Sequence, residues 1–114
     1  MAWTGCKKGV ANADLSDTLP PVFPDYSGVT IPVNITPLDF QMTDNATKMF
    51  VKVEGARSGL LETGNRKSAA FKLTRWKKIL EENAGDSLSV TVYAKYKDKG
   101  WIQYLPFTLY VNPV

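Results

Sequence analysis

From residue 38 onward, apolar and polar side chains alternate along most of the chain. "LDFQM" (38–42) places Leu38, Phe40 and Met42 on one face. "KMFVKVEG" (48–55) turns Met49, Val51 and Val53 one way and Lys48, Lys52 and Glu54 the other, with Phe50 an apolar exception on the polar side. A period of two predicts strands with one buried face. "TDNAT" reads as a turn, "EGARSG" as a break, and "LLETGNRKSAAFKL" as a hairpin about Gly64-Asn65, a turn-forming dipeptide. In "LTRWKKILEENAG" the period changes. Trp76, Ile79, Leu80 and Asn83 fall at helical spacing, Thr74 suits an N-cap and Gly85 a terminator, so one helix is expected over about 74–84. About ten residues are marginal as an isolated helix, which makes Trp76 a core anchor docked on a sheet.

The last third predicts the longest hairpin. Leu88, Val90, Val92, Ala94 and Tyr96 share a face, "DKG" is a short loop, and "WIQYLPFTLYV" returns. Pairing Lys97 with Trp101 sets Tyr96 against Ile102 and Ala94 against Tyr104 on the inside. On the outside, Tyr93 then opposes Leu105 and Lys95 opposes Gln103. The alternation slips at Leu105-Pro106, after which Phe107, Leu109 and Val111 take the inner positions, as a bulge would require. Several strands, short turns and no βαβ rhythm indicate a mainly β fold: an immunoglobulin- or fibronectin-III-like two-sheet sandwich with one short inserted helix.

Residues 19–40, "LPPVFPDYSGVTIPVNITPLDF", hold five of the seven prolines and no cation. Pro20, Pro21 and Pro24 fix φ and push the residues before them toward extended geometry. Val29, Ile31, Val33 and Ile35 then alternate, while Pro32 and Pro37 forbid a central strand. The stretch is too apolar for a solvated linker and is expected to be a rigid strap (20–37) packed on one domain, 20–114. A ligand loop with Phe23 and Tyr26 as stacking surfaces is the competing reading. Residues 7–19 are small, polar and aperiodic and read as an unpacked linker.

Composition narrows the chemistry. The chain has no histidine and a single cysteine, Cys6, which removes histidine-based triads, the usual zinc ligand and any internal disulfide. A net charge of +3, with acidic residues near each basic cluster, falls short of the dense basic face that nucleic acid needs. No run of about 18 apolar residues could cross a bilayer. Glu81 and Glu82 are adjacent on the helix and diverge, so they do not form a glycosidase pair. Neither an enzyme nor a cofactor is expected.

"MAWTGCKKG" resembles the end of a bacterial lipoprotein signal, in which small residues precede the cysteine that receives the lipid. Trp3 departs from the aliphatic residue that motif prefers, and the apolar stretch that comes before it in such signals is missing. On this resemblance Cys6 is the lipid-attachment residue and residues 7–19 the tether. The other reading is a free thiol in a tail. More broadly, "LPPVFPDYSGVTIPVNITPLDF", "FKLTRWKKILEENAG" and "YKDKGWIQYLPFTLYVNPV" resemble the start of a group of Bacteroidetes lipoproteins in which such a region precedes a TolB-like β-propeller, a group often labelled cytochrome c biosynthesis proteins. The resemblance spans roughly residues 15–114 and none of its motifs is catalytic. It implies an amino-terminal module of a cell-envelope protein, lipid-anchored in the outer membrane, with the downstream domain of the same polypeptide as its partner and no haem site of its own. "DTL" at 17–19 resembles the O-glycosylation sites of these bacteria, with Thr18 as acceptor. "DSL" at 86–88 precedes a strand.

Two functions follow. One is a non-catalytic structural or interaction domain that spaces or presents the downstream domain. The other is a glycan- or peptide-binding module using Tyr93, Lys95, Trp101 and Gln103 on the outer face of the last hairpin. The choice turns on whether those aromatics are covered.

Overall fold

The computed structural model describes residues 13–23, 26–33, 35, 37, 40–66 and 71–112. The chain is mainly β, with two sheets and one short helix. The centre of the larger sheet is an antiparallel trio: β5 (Lys48–Gly55), β6 (Leu60–Arg66) and the ten-residue β7 (Ser87–Tyr96). β5 lies between the other two, in register from Lys48–Lys95 to Gly55–Leu88 along β7. The far side of β7 is shared. β8 (Gly100–Gln103) pairs with its last four residues and β9 (Phe107–Asn112) with its first four. Each carries a short parallel edge strand, β1 (Asp14–Leu15) on β8 and β3 (Thr30–Pro32) on β9. The smaller sheet is β2 (Val22–Phe23) against β4 (Gln41–Met42).

Alternation sorts the faces as expected. Met49, Val51, Val53, Leu88, Val90, Val92, Ala94, Tyr96, Phe107, Leu109 and Val111 are all buried on the inner face. Above them lie Val22, Ile31, Phe40 and the helix α1 (Leu73–Glu82), which contributes Trp76, Ile79 and Leu80. Trp76 is fully enclosed, and its Nε1 donates to the Ile35 carbonyl at 3.1 Å, tying helix to strap. The proline-rich stretch is the expected edge strap: β3 adds to β9, and Val33, Ile35 and Tyr26 pack against the core. Leu38 and Pro24 lie outside the described residues.

The break at Leu105-Pro106 is a bulge. Tyr93 pairs with Gln103 but Val90 with Phe107, so three steps along β7 match four on the returning chain. Pro106 has no N–H to give the ladder, and the extra residue lets Phe107 face inward.

Four local expectations are corrected. Gly64-Asn65 is not a hairpin turn but lies inside β6, where the register slips by one residue between Val51–Thr63 and Met49–Arg66. The β5–β6 reversal comes earlier, at 56–59, where Gly59 takes φ 98°. The pairing partners of β5 decided this, because a Gly-Asn pair serves a bulge as readily as a turn. The last hairpin is shifted by two residues, so that Tyr96 faces Gly100, Lys95 faces Trp101 and Tyr93 faces Gln103. The loop keeps three residues but is 97–99 instead of 98–100, with Gly100 at φ 76° where it re-enters the strand. The helix begins at Leu73 and ends at Glu82, with Lys72 at the N-cap and no side-chain cap, so Thr74 sits inside the first turn. Phe71 stacks on Trp76 (centroids 5.5 Å, 21°), an N′ residue clamping the N4 residue, and this staple fixes the start instead. Finally, the end of the expected linker is not unpacked. Besides β1, Ser16 N donates to Gln103 O and Leu105 N to Thr18 O.

Candidate functional site

Three surface features carry chemistry, and the outer face of the large sheet is the first. Side chains alternate across β5, β7 and β8, so Phe50, Tyr93 and Gln103 form one row and Lys48, Lys95 and Trp101 the next. Phe50 and Tyr93 meet edge to face (5.7 Å, 66°), and Tyr93 keeps only 9% of its surface exposed. Trp101, Lys95 and Gln103 are half-buried. The structure therefore brings together the four residues predicted for this face, with Phe50 added. Their cross-strand partners change through the register shift, but a shift of two keeps every side chain on its own face.

Phe23 and Tyr26 do not join them. Val22 enters the core, so alternation turns its neighbour Phe23 outward from the small sheet, where it is exposed. Tyr26 tilts against Phe40 (6.2 Å, 58°) at the core's edge. Thr18 is exposed and shares a hydrogen bond with Ser16 at 2.9 Å. Cys6 lies outside the described residues.

The second feature is a polar cluster at the end of β7. The Tyr96 hydroxyl donates to Asp44 Oδ2 at 2.6 Å and is hydrogen-bonded to the Tyr104 hydroxyl, with Lys99 Nζ 4.9 Å from the ring centre of Tyr96. Burial, then the bond to the Asp44 carboxylate, push the Tyr96 pKa well above the usual tyrosine value. Tyr96 is thus held as a neutral donor already committed to Asp44, which suits a structural tie and opposes a phenolate nucleophile. Asp44 also accepts from Ala46 N at 3.2 Å, closing the turn before β5. Nothing in the sequence signalled this link, because its partners lie 52 residues apart.

The third feature is a groove of about 420 Å³ between α1 and the β5–β6 turn, lined by Ser58, Gly59, Leu60, Arg75, Lys78 and Glu82 with Ile79 beneath. Asn83, completely buried, builds it. Asn83 Nδ2 donates to Ser58 O and Ile79 O, both at 2.8 Å, and its Oδ1 accepts from Arg57 N at 2.8 Å. A side chain at Gly55 would overlap Asn83 and the Ser58 carbonyl, so the glycine is what lets the amide in. At Gly59 an added Cβ would sit 3.0 Å from Glu82 and Ile79. The helical stripe had marked Asn83 as inward-facing, but not as the residue that seats the turn.

Among the described residues, no three acidic or sulfur side chains converge as metal ligands, and no helix is long and apolar enough to cross a membrane. Compared with known proteins, the chain matches no family model, no curated protein and no solved structure.

Proposed function

We propose that this chain is a non-catalytic interaction domain of a bacterial cell-envelope lipoprotein, standing at its amino-terminal end and spacing or presenting the rest of the polypeptide. The reading takes Cys6 as the lipid anchor, in keeping with the resemblance to the start of Bacteroidetes lipoproteins in which such a region precedes a TolB-like propeller. Its fold is then an immunoglobulin- or fibronectin-III-like sandwich whose second layer is shared by the β2–β4 sheet, the strap and α1.

One observation supports the reading above others. The face of the large sheet turned away from the core carries Phe50 and Tyr93 edge to face, with half-buried Trp101 one row along, where a solvated sheet would carry polar residues. Half-exposed Phe50 and Trp101 on this aromatic strip, flanking an already covered Tyr93, suit a surface that another domain or chain completes. The tyrosine with the shifted pKa, by contrast, has its hydroxyl tied to Asp44 and Tyr104.

The test is acrylamide quenching of tryptophan fluorescence, comparing wild type with Trp101→Phe, first in this chain and then in a polypeptide extended by its natural downstream sequence. Trp101 becomes protected in the longer protein if the strip is the docking face. Equal quenching in both lengths rejects it. A second reading, a glycan or peptide stacked on Trp101, is favoured by Lys95 opposite it and Gln103 two residues along, on the same face of the sheet. Glycan-array binding by the wild type that Trp101→Ala abolishes would support it, and an array blank for the wild type would count against it.

A further inference from the structure

The groove beside α1 has a chemistry that the aromatic strip does not share. From Thr63 to Leu80 the chain carries six cations and no acidic residue. Two of them, Arg75 and Lys78, stand one helical turn apart along the groove and are exposed, and among the described residues neither forms an ion pair. Leu60, 56% exposed at the start of β6, offers an aliphatic wall. Glu82 closes the far end. The Asn83 bonds hold the turn against the helix before anything binds, so little ordering is required of the protein.

We propose that this groove docks an acidic peptide segment carrying one aliphatic side chain. The carboxylates meet Arg75, whose guanidinium can grip one in bidentate fashion, and Lys78. The aliphatic side chain lies against Leu60. Glu82 repels carboxylates at the C-terminal end of the helix, so the acidic residues sit toward its start and the peptide has a direction. Exposed ion pairs are individually weak, which makes this a transient contact with Kd on the order of 100 μM.

The test uses the intact chain and a fluorescein-labelled Glu-Glu-Leu-Glu-Glu peptide followed by fluorescence anisotropy. Saturable binding is expected, weakened about tenfold by Arg75→Glu with Lys78→Glu. It is expected to weaken about threefold with Leu60→Ser or with serine in place of the peptide's leucine. Trp101→Ala leaves it unchanged, which separates this site from the sheet face. Thermal unfolding of each variant confirms the fold; Arg75, Lys78 and Leu60 are exposed and Trp101 is half-buried. Equal binding of a Lys-Lys-Leu-Lys-Lys peptide, or no loss in the double variant, overturns the proposal. So does absence of peptide binding alongside charge-dependent sedimentation with phosphatidylglycerol vesicles, which reassigns the cations to a lipid surface. Self-association abolished by the double variant, again without peptide binding, assigns the groove to a second copy of the chain.

Discussion

Replacing Asn83 with alanine tests whether one buried amide seats the β5–β6 turn. The side chain makes three bonds of 2.8 Å, to Arg57 N, Ser58 O and Ile79 O, from a position with no solvent exposure. Each such bond contributes about 1 kcal/mol net, and a partner left buried and unpaired costs more. Arg57 and Ser58 are exposed and can recruit water once the amide is gone, whereas the Ile79 carbonyl is at the enclosed end. The expected loss is therefore about 3 kcal/mol. For a chain of this length that corresponds to roughly 12 °C in Tm. Urea unfolding should show a lower midpoint with an unchanged m-value, because the same surface is exposed on unfolding. Gly55→Ala supplies the second arm. Its Cβ overlaps both Asn83 and the Ser58 carbonyl, so it too destabilises. In the double variant the clash with the amide is gone, and the combined loss falls short of the two single losses added together, by about 1 kcal/mol. A loss below about 1 kcal/mol for Asn83→Ala, or strict additivity with Gly55→Ala, would refute the clamp.

Alkaline unfolding should report on Tyr96. Its folded-state pKa is raised, so its contribution is fully present below the ordinary tyrosine value near 10 and is lost as pH rises through the folded-state value. Above pH about 10, stability should fall by up to about 1.4 kcal/mol per pH unit, a limb that Tyr96→Phe flattens. Identical alkaline midpoints for the two proteins would reject this. At the start of α1, Thr74→Ala should change stability by less than about 0.5 kcal/mol, because the hydroxyl caps nothing. Phe71→Ala should cost about 2 kcal/mol by removing the staple on Trp76, and chemical denaturation that reversed this order would return the cap to Thr74.

The faces of the strands were legible because alternation is a local property that survives pairing errors. The last hairpin is displaced by two residues from its expected register, yet every inner and outer assignment holds. The stripe of α1 was legible for the same reason, and the prolines of the strap excluded a central strand on chemistry alone. What was not legible depended on contacts distant in sequence. Gly64-Asn65 has the local signature of a turn, but β5 already reverses at 56–59 and needs a bulge opposite Met49–Val51. Thr74 has the signature of a cap, but Phe71 on Trp76 sets the helix start. Asp14 and Leu15 look like tether, but β8 has a free edge that accepts them in parallel. The aromatic strip could therefore be read from sequence, since it needs only face and order. The Asn83 groove could not, since it needs the turn and helix to meet.

The two proposed surfaces share no residue, and that separation constrains how they act. The aromatic strip faces outward from β5, β7 and β8, while α1 packs on the inner face and its groove opens at the β5–β6 turn. None of the residues lining one lines the other. A partner on the strip therefore neither blocks the groove nor contacts it. The polar ties in the fold involve different elements. Asn83 fixes the groove without touching β7, and Tyr96 and Asp44 fasten the turn before β5 to the hairpin that carries Trp101. Substitutions in one surface should leave binding at the other unchanged and combine additively, as expected of distant sites with no shared partner. A domain built this way can hold a neighbouring domain on the strip while the groove stays free to engage a transient acidic segment. That suits a two-sided interaction domain better than a single-site receptor.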